Sequence, residues 1–278
     1  MSSTFGTLTT VRLGIYAAQK GLDVTGNNIT NINTTGYTRQ RLDQVSLIAG
    51  ASDKYASQYH TRVGQGVLVN GVNQVRDLGM DISYRTAQSN VGAADQKLAG
   101  LEALANILDE VGKGDDEQDD GVLLSQLNDL RDLINKALAG GIENYEGDIR
   151  SVSNSLTATF HQYAADLEEL TDTYEGYLEQ DIDQVNKILT NLRDLNEAIR
   201  NADIRGDDAL ELRDTRNLLL DELSQYMKID VTYSTEDLGA GLTVEKMTVK
   251  LATGDKNTLI DGEYAAHLLS TGKDNNYA

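Results

Sequence analysis

"FHQYAADLEELTDTYEGYLEQDIDQVNKILTNL", residues 160–192, contains no proline and a single glycine, Gly176. Its apolar side chains return every three or four residues: Phe160, Tyr163, Leu167, Leu170, Tyr174 and Tyr177. After a shift of one residue they continue as Leu178, Ile182, Val185, Leu189 and Leu192. Such spacing, sustained over three or more heptads, predicts one helix presenting a narrow apolar seam to a partner. The shift at Tyr177 turns that seam locally. If the helix runs from about residue 146 to about 200, it is roughly 80 Å long at about 1.5 Å per residue. That is too long for a compact globule, and the sequence predicts a rod.

Two more seams lie upstream. One runs Leu8, Val11, Ile15, Ala18, Leu22, Thr25, Ile29, Ile32. The other runs Met80, Tyr84, Ala87, Val91, Ala94, Leu98, Leu101, Ala105, Leu108. Shorter helices are predicted over 121–139, with Leu124, Leu127, Leu130, Ile134 and Leu138 on one face, and over 208–227. Between the first two seams, "QRLDQVSLIAG" and "GQGVLVNGVNQV" are short, β-branched and glycine-bounded, which reads as two strands or extended arms. From Lys228 the pattern alternates through "KIDVTY", "LTVEKMTVKLA" and "NTLIDGEYAAHLL", the start of a β domain with too few strands to close a sandwich. The fold class is therefore mainly α: an elongated rod of heptad-patterned helices with short extended arms, followed by the beginning of a small β domain. We divide it into 1–76, an N-terminal helix with arms; 77–227, an elongated coiled-coil-like helical domain; and 228–278, a β domain that reads as incomplete.

Composition agrees with long helices. The 278 residues include no Pro, where average usage predicts about 14, and proline breaks helix interiors. There is no Cys, which removes disulfides, thiolate metal sites and thiol catalysis. No apolar run reaches the roughly 20 residues that span a bilayer, so no membrane insertion is expected. The start of the chain lacks the order of a cleaved signal peptide. Net charge is −20, unevenly placed: residues 1–76 carry seven Lys/Arg against three Asp/Glu, the remainder 17 against 41. A chain this acidic is a poor partner for nucleic acid.

Enzymatic constellations do not emerge. The run "GDDEQDDG", 114–121, has Leu127 where an EF-hand loop started at Asp116 needs a bidentate Glu, and reads as a solvated loop. "GQGVLVNG" lacks the third glycine and the helix start of a dinucleotide site, so a bulged strand or a close backbone approach is the better reading. His60, His161 and His267 fall in separate segments with no metal-ligand spacing, and no G-x-S-x-G is present. No catalytic, cofactor-binding or metal residue is assigned, and no cofactor is expected. The two N-x-S/T sequons at Asn28 and Asn33 sit beside the first seam, where a glycan would disrupt packing.

The stretch "NNITNINTTGYTRQ", 27–40, closes the first helix. The seam runs through Ile29 to Ile32, short polar side chains at Asn33, Thr34 and Thr35 compete for backbone hydrogen bonds, and Gly36 supplies a left-handed cap. Tyr37 anchors the turn, and Arg39 and Arg41 follow. "NNITNINTTGYTRQR" resembles the N-terminal motif of the axial proteins of the bacterial flagellum, which share an N-N-I-x-N-x-N-T-x-G-Y/F core. The Arg39–Gln40 pair after G-Y-T is similar to the hook-associated members in particular. The likeness continues through "RVGQGVLVNGVNQVRD" (62–77) and "LRDTRNLLLDELSQYMKIDV" (212–231). It departs at Thr35, where the family usually has Pro, and in the second terminal helix of the family, to which nothing here corresponds; the sequence reads as a fragment or a truncated relative.

The resemblance implies a structural subunit joining hook to filament, outside the cell, exported uncleaved through the type III apparatus. It implies as partners copies of itself in a ring, hook protein, other hook-associated or filament proteins, and an export chaperone. The residues it assigns to assembly are Leu8, Ile15, Leu22, Asn28, Ile29, Asn31, Asn33, Thr34, Gly36, Tyr37, Arg39 and Gln40. A different axial protein, of hook or rod type, and a non-flagellar coiled-coil adaptor are the competing readings.

Overall fold

The computed structural model describes residues 4–47, 64, 66–108, 121–239, 241–254, 257–263, 265–266 and 269. The acidic run 114–120, His60, His267 and the polar tail from 270 lie outside the described residues. Among the described residues five α-helices dominate: α1 (Thr4–Thr30), α2 (Leu78–Leu108), α3 (Val122–Gly140), α4 (Glu146–Ile204) and α5 (Leu210–Tyr226). The strands are β1 (Gln40–Ser46), β2 (Val67–Gln74), β3 (Ile229–Asp237), β4 (Thr243–Leu251), β5 (Thr258–Asp261) and β6 (Ala265–Ala266). The mainly helical class with small antiparallel sheets is as the periodicity predicts.

Helix ends follow local chemistry. Asp77 caps α2, its Oδ1 accepting from the Gly79 N–H at 2.9 Å, because a short carboxylate satisfies an orphan N–H of a first turn. α4 runs 59 residues, about 88 Å at about 1.5 Å per residue. Glu146 and Asp148 occupy its first turn, where the helix dipole favours anions. It stops at Gly206, whose φ of 78° lets Gly206 N–H bond Asp203 O at 3.0 Å and Asp207 N–H bond Ala202 O at 3.0 Å. This is the Schellman arrangement that glycine admits at low cost.

The chain divides into two units, residues 1–88 with 188–268, and 89–187 with 269–278. In the first, β1 and β2 pair antiparallel with an irregularity between Asp43 and Gln44, so the glycine-rich stretch is a bulged strand. β3, β4, β5 and β6 form an antiparallel meander in that order. Its apolar core comprises Ile188, Leu189, Leu192 and Ile199 of α4, Leu220 and Leu223 of α5, and Val244, Met247, Val249, Leu259 and Ile260 of the sheet, each no more than 2% exposed. Ion pairs fasten the helices to the sheet. Arg213 bonds Asp203 (2.8 Å) and Glu245 (2.7 Å), and Arg200 bonds Glu236 (2.6 Å) and Glu263 (3.0 Å). Arg216 adds a bond to Glu245 at 2.5 Å and lies over the Tyr233 ring.

The second unit is built differently. The later turns of α2, the first two-thirds of α4, and α3 supply it, and Ala137 is the one buried residue of α3. Polar ties fix the register: Tyr163 Oη donates to Leu108 O at 3.0 Å and Thr159 Oγ1 to Gln126 Oε1 at 3.1 Å. An apolar groove of about 540 Å³ separates Leu101 and Leu104 on α2 from Leu170, Tyr174 and Leu178 on α4. The seams read from the sequence are present here as half-open stripes.

Candidate assembly site

The first helix has two faces of opposite character. Thr10, Leu13, Ala17, Lys20, Gly21, Val24, Asn27 and Asn28, with Asn31 just beyond its end, are its buried or half-buried described positions, returning at helical spacing and facing β1 and β2; Gly21 comes close to the Leu42 side chain. The seam read from the sequence points the other way. Leu8, Val11, Ile15, Leu22, Ile29 and Ile32 keep 52–77% of their surface exposed. The inner face therefore mixes small and polar residues with Leu13 and Val24, and the larger apolar stripe lies on the outer face.

Asparagines make that inversion possible. Asn28 Oδ1 accepts from the Gln40 N–H at 2.8 Å and from Tyr37 Oη at 2.9 Å, while its Nδ2 donates to Gln40 O at 2.9 Å. One side chain thus satisfies both backbone groups of the first strand residue. Asn27 Nδ2 reaches Gln40 Oε1 at 3.3 Å. Asn31 Nδ2 returns to Asn27 O (3.0 Å) and Oδ1 (2.8 Å), and Thr34 Oγ1 donates to Asn31 Oδ1 at 3.2 Å. The sequence places the end of the helix after Ile32, whereas α1 ends at Thr30. Asn31 N–H still bonds Asn27 O at 3.0 Å, but beyond it the chain tightens to bonds three residues back, Ile32 N–H to Ile29 O at 3.4 Å and Thr34 N–H to Asn31 O at 2.9 Å.

Beyond the knot the chain turns through Gly36, φ 78°, and any Cβ there collides with the Leu218 side chain of α5. Thr38 N–H donates to Asp214 Oδ2 at 3.1 Å. Arg76 holds Thr38 Oγ1 at 3.2 Å and Asp81 at 2.6 Å, and Gln74 Nε2 donates to Leu210 O at 2.9 Å. Arg85, 5% exposed, pairs with Asp221 (2.8 Å) and Asn217 (3.3 Å). The second Asp214 oxygen and Gln40 Nε2 are buried without a partner among the described residues. Tyr37 titrates above its ordinary value, pushed up by burial and then by the nearby Asp214 and Glu211 carboxylates, so its hydroxyl remains a donor to Asn28.

The assembly residues expected from the sequence thus separate into two sets. Asn28, Asn31, Thr34, Gly36, Tyr37 and Gln40 make contacts inside the chain, whereas Leu8, Ile15, Leu22, Ile29, Asn33 and Arg39 are exposed. The partners on α5 were missed as partners, although Asp214, Asn217 and Asp221 recur at i, i+3 and i+7 in the "LRDTRNLLLDELSQY" stretch. A polar stripe at helical spacing was the available signal. Among the described residues no group of acidic and histidine side chains could hold a metal ion, and no helix is long and apolar enough to cross a membrane.

The structure thus defines a mainly helical protein whose polar residues close its own joints and whose α1 apolar stripe is exposed. The comparisons specify the class. Residues 143–278 match the family described as the flagellar hook-associated protein FlgK helical domain, and residues 14–38 match the flagella basal body rod protein family. Flagellar hook-associated protein 1 of Bacillus subtilis (strain 168) is 31% identical, over 99% of this chain and 54% of the relative. The proteins of the same name from Salmonella typhimurium and Escherichia coli K12 are 26% and 25% identical, over 92% of this chain and 42% and 43% of theirs. The chain belongs to the flagellar hook-associated protein 1 family and spans about half the length, or less, of these relatives.

Proposed function

We propose that this chain is a structural subunit at the junction of flagellar hook and filament, with the exposed stripe of α1 as its assembly surface. The observation that carries the reading is the outward direction of Leu8, Ile15, Leu22 and Ile29 on a helix whose other face is already docked. Uncovered apolar surface along a whole helix is costly in water and is retained where a neighbour buries it. The relatives' names supply the setting. In this reading copies of the chain form a ring contacting hook protein and other axial proteins, after type III export without cleavage and with a chaperone guarding the stripe before assembly. The subunit works outside the cell and catalyses nothing. Arg39, exposed at the foot of α1, contacts an acidic neighbour.

Cells lacking the protein and expressing Arg39→Ala or Leu22→Asp test this. Both variants are expected to fold with an unchanged thermal midpoint, since exposed positions contribute little to monomer stability, and to shed filaments. Firmly held filaments and normal swimming with both would defeat the proposal.

A further inference from the structure

Apart from Ala209, just before α5, the buried apolar residues of the first unit lie in α4, α5 and the β3–β6 sheet, and among the described residues 7–88 only Ala17 joins them. What ties α1, β1, β2 and the start of α2 to that core is polar and directional. Thr38 N–H reaches Asp214, Gln74 reaches Leu210 O, and Arg85 reaches Asn217 and Asp221. The Gly36 backbone is laid closely over the Leu218 side chain. All of these α5 groups fall within residues 210–221. Two of the stretches that carry the likeness to the axial proteins, 27–40 and 212–231, are therefore the two halves of one joint.

We infer that residues 210–221 of α5 are a seat that sets the direction in which α1 leaves the core, and that Asp214 and Leu218 are positioning residues for the outward stripe. An apolar joint tolerates sliding, because hydrophobic contact is non-directional. Hydrogen bonds to buried groups hold one geometry, since a displaced Asp214 or Arg85 is left desolvated and unpaired. Gly36 is needed because the backbone must approach Leu218 closely with φ in the left-handed region. The asparagine knot shapes the turn; the seat aims it. This inference rests on the stripe being the assembly surface, and its test separates the two.

The absence of cysteine makes labelling clean. Gln19→Cys on α1 and Thr232→Cys on β3, both exposed, carry spin labels, and the distance distribution is measured on the purified chain. The wild-type background is expected to give one narrow peak, and Asp214→Asn also, because an amide oxygen still accepts from Thr38 N–H. Asp214→Leu with Leu218→Ala is expected to broaden it at least twofold, with the helical signal retained and filament retention lost in cells. Leu218→Ala alone, at a position already 38% exposed, is expected to broaden it in part, and serves if the double variant does not fold. A narrow distribution in the folded variants, or an equally broad one in wild type, overturns the seat. Broadening in cells that still hold their filaments keeps the seat and removes the stripe as the assembly surface.

Discussion

Tyr37 shows how one side chain joins the turn to its neighbours. Its hydroxyl donates to Asn28, which in turn holds both backbone groups of Gln40. Burial and two nearby carboxylates raise its pKa, so the folded chain keeps the phenol neutral where the unfolded chain begins to ionise. The linkage follows: this stabilisation is fully present below about pH 10, the unfolded value, and is lost as pH rises through the higher folded value. Tyr37→Phe removes the hydrogen bond and the titration together. Below about pH 9 it is expected to lower stability by about 1 kcal/mol, and the gap to wild type narrows above about pH 10. Thermal midpoints of both proteins from pH 8 to 11 check this, and a gap that widens with pH contradicts the assignment. The residue types at this turn were legible in sequence; their division between inward and outward roles was not. Asn28 and Arg39 look equally polar in a sequence, and only the fold shows that one faces Gln40 and the other faces solvent.

At the scale of elements, periodicity located the helices well. The 146–200 reading became Glu146–Ile204, and 208–227 became Leu210–Tyr226. A heptad states which side chains share a face, yet it does not state what covers that face. Leu101 and Leu189 occupy equivalent positions in their seams, but Leu189 is fully buried and Leu101 is 54% exposed. Along α1 the seam and the packed face part, because asparagines, an alanine and a glycine, with Leu13 and Val24, make the inner face that packing uses. That inversion is invisible to a pattern that scores apolar residues as interior. Leu189→Asp is expected to cost several kcal/mol, since an unpaired charge enters an apolar core. Leu101→Asp costs about 1 kcal/mol or less, as surface substitutions do. Urea titration of both variants decides it, and equal losses would mean that the α2 seam is covered in solution.

For the molecule as a whole, charge and exposed apolar surface oppose one another. Copies bearing a net charge of −20 repel, and the range of that repulsion falls from about 30 Å at 0.01 M salt to about 8 Å at 0.15 M. The exposed face of α1 carries only Arg12 and Asp23 as charges among its described positions, so it is the face on which copies approach with least electrostatic cost. Burying Leu8, Ile15, Leu22 and Ile29 between copies returns hydrophobic free energy that salt does not weaken. The purified chain is therefore expected to be monomeric near 10 mM salt and to associate as salt rises, with Ile15→Asp remaining monomeric throughout at an unchanged thermal midpoint. Sedimentation velocity across a salt series reads both. Association that weakens with added salt would point to a different contact, a basic group such as Arg39 against residues 161–183 of α4, which hold eight Asp/Glu and no Lys or Arg. In that case Ile15→Asp would associate like wild type, Arg39→Ala would not, and the stripe would lose its place as the surface on which copies meet.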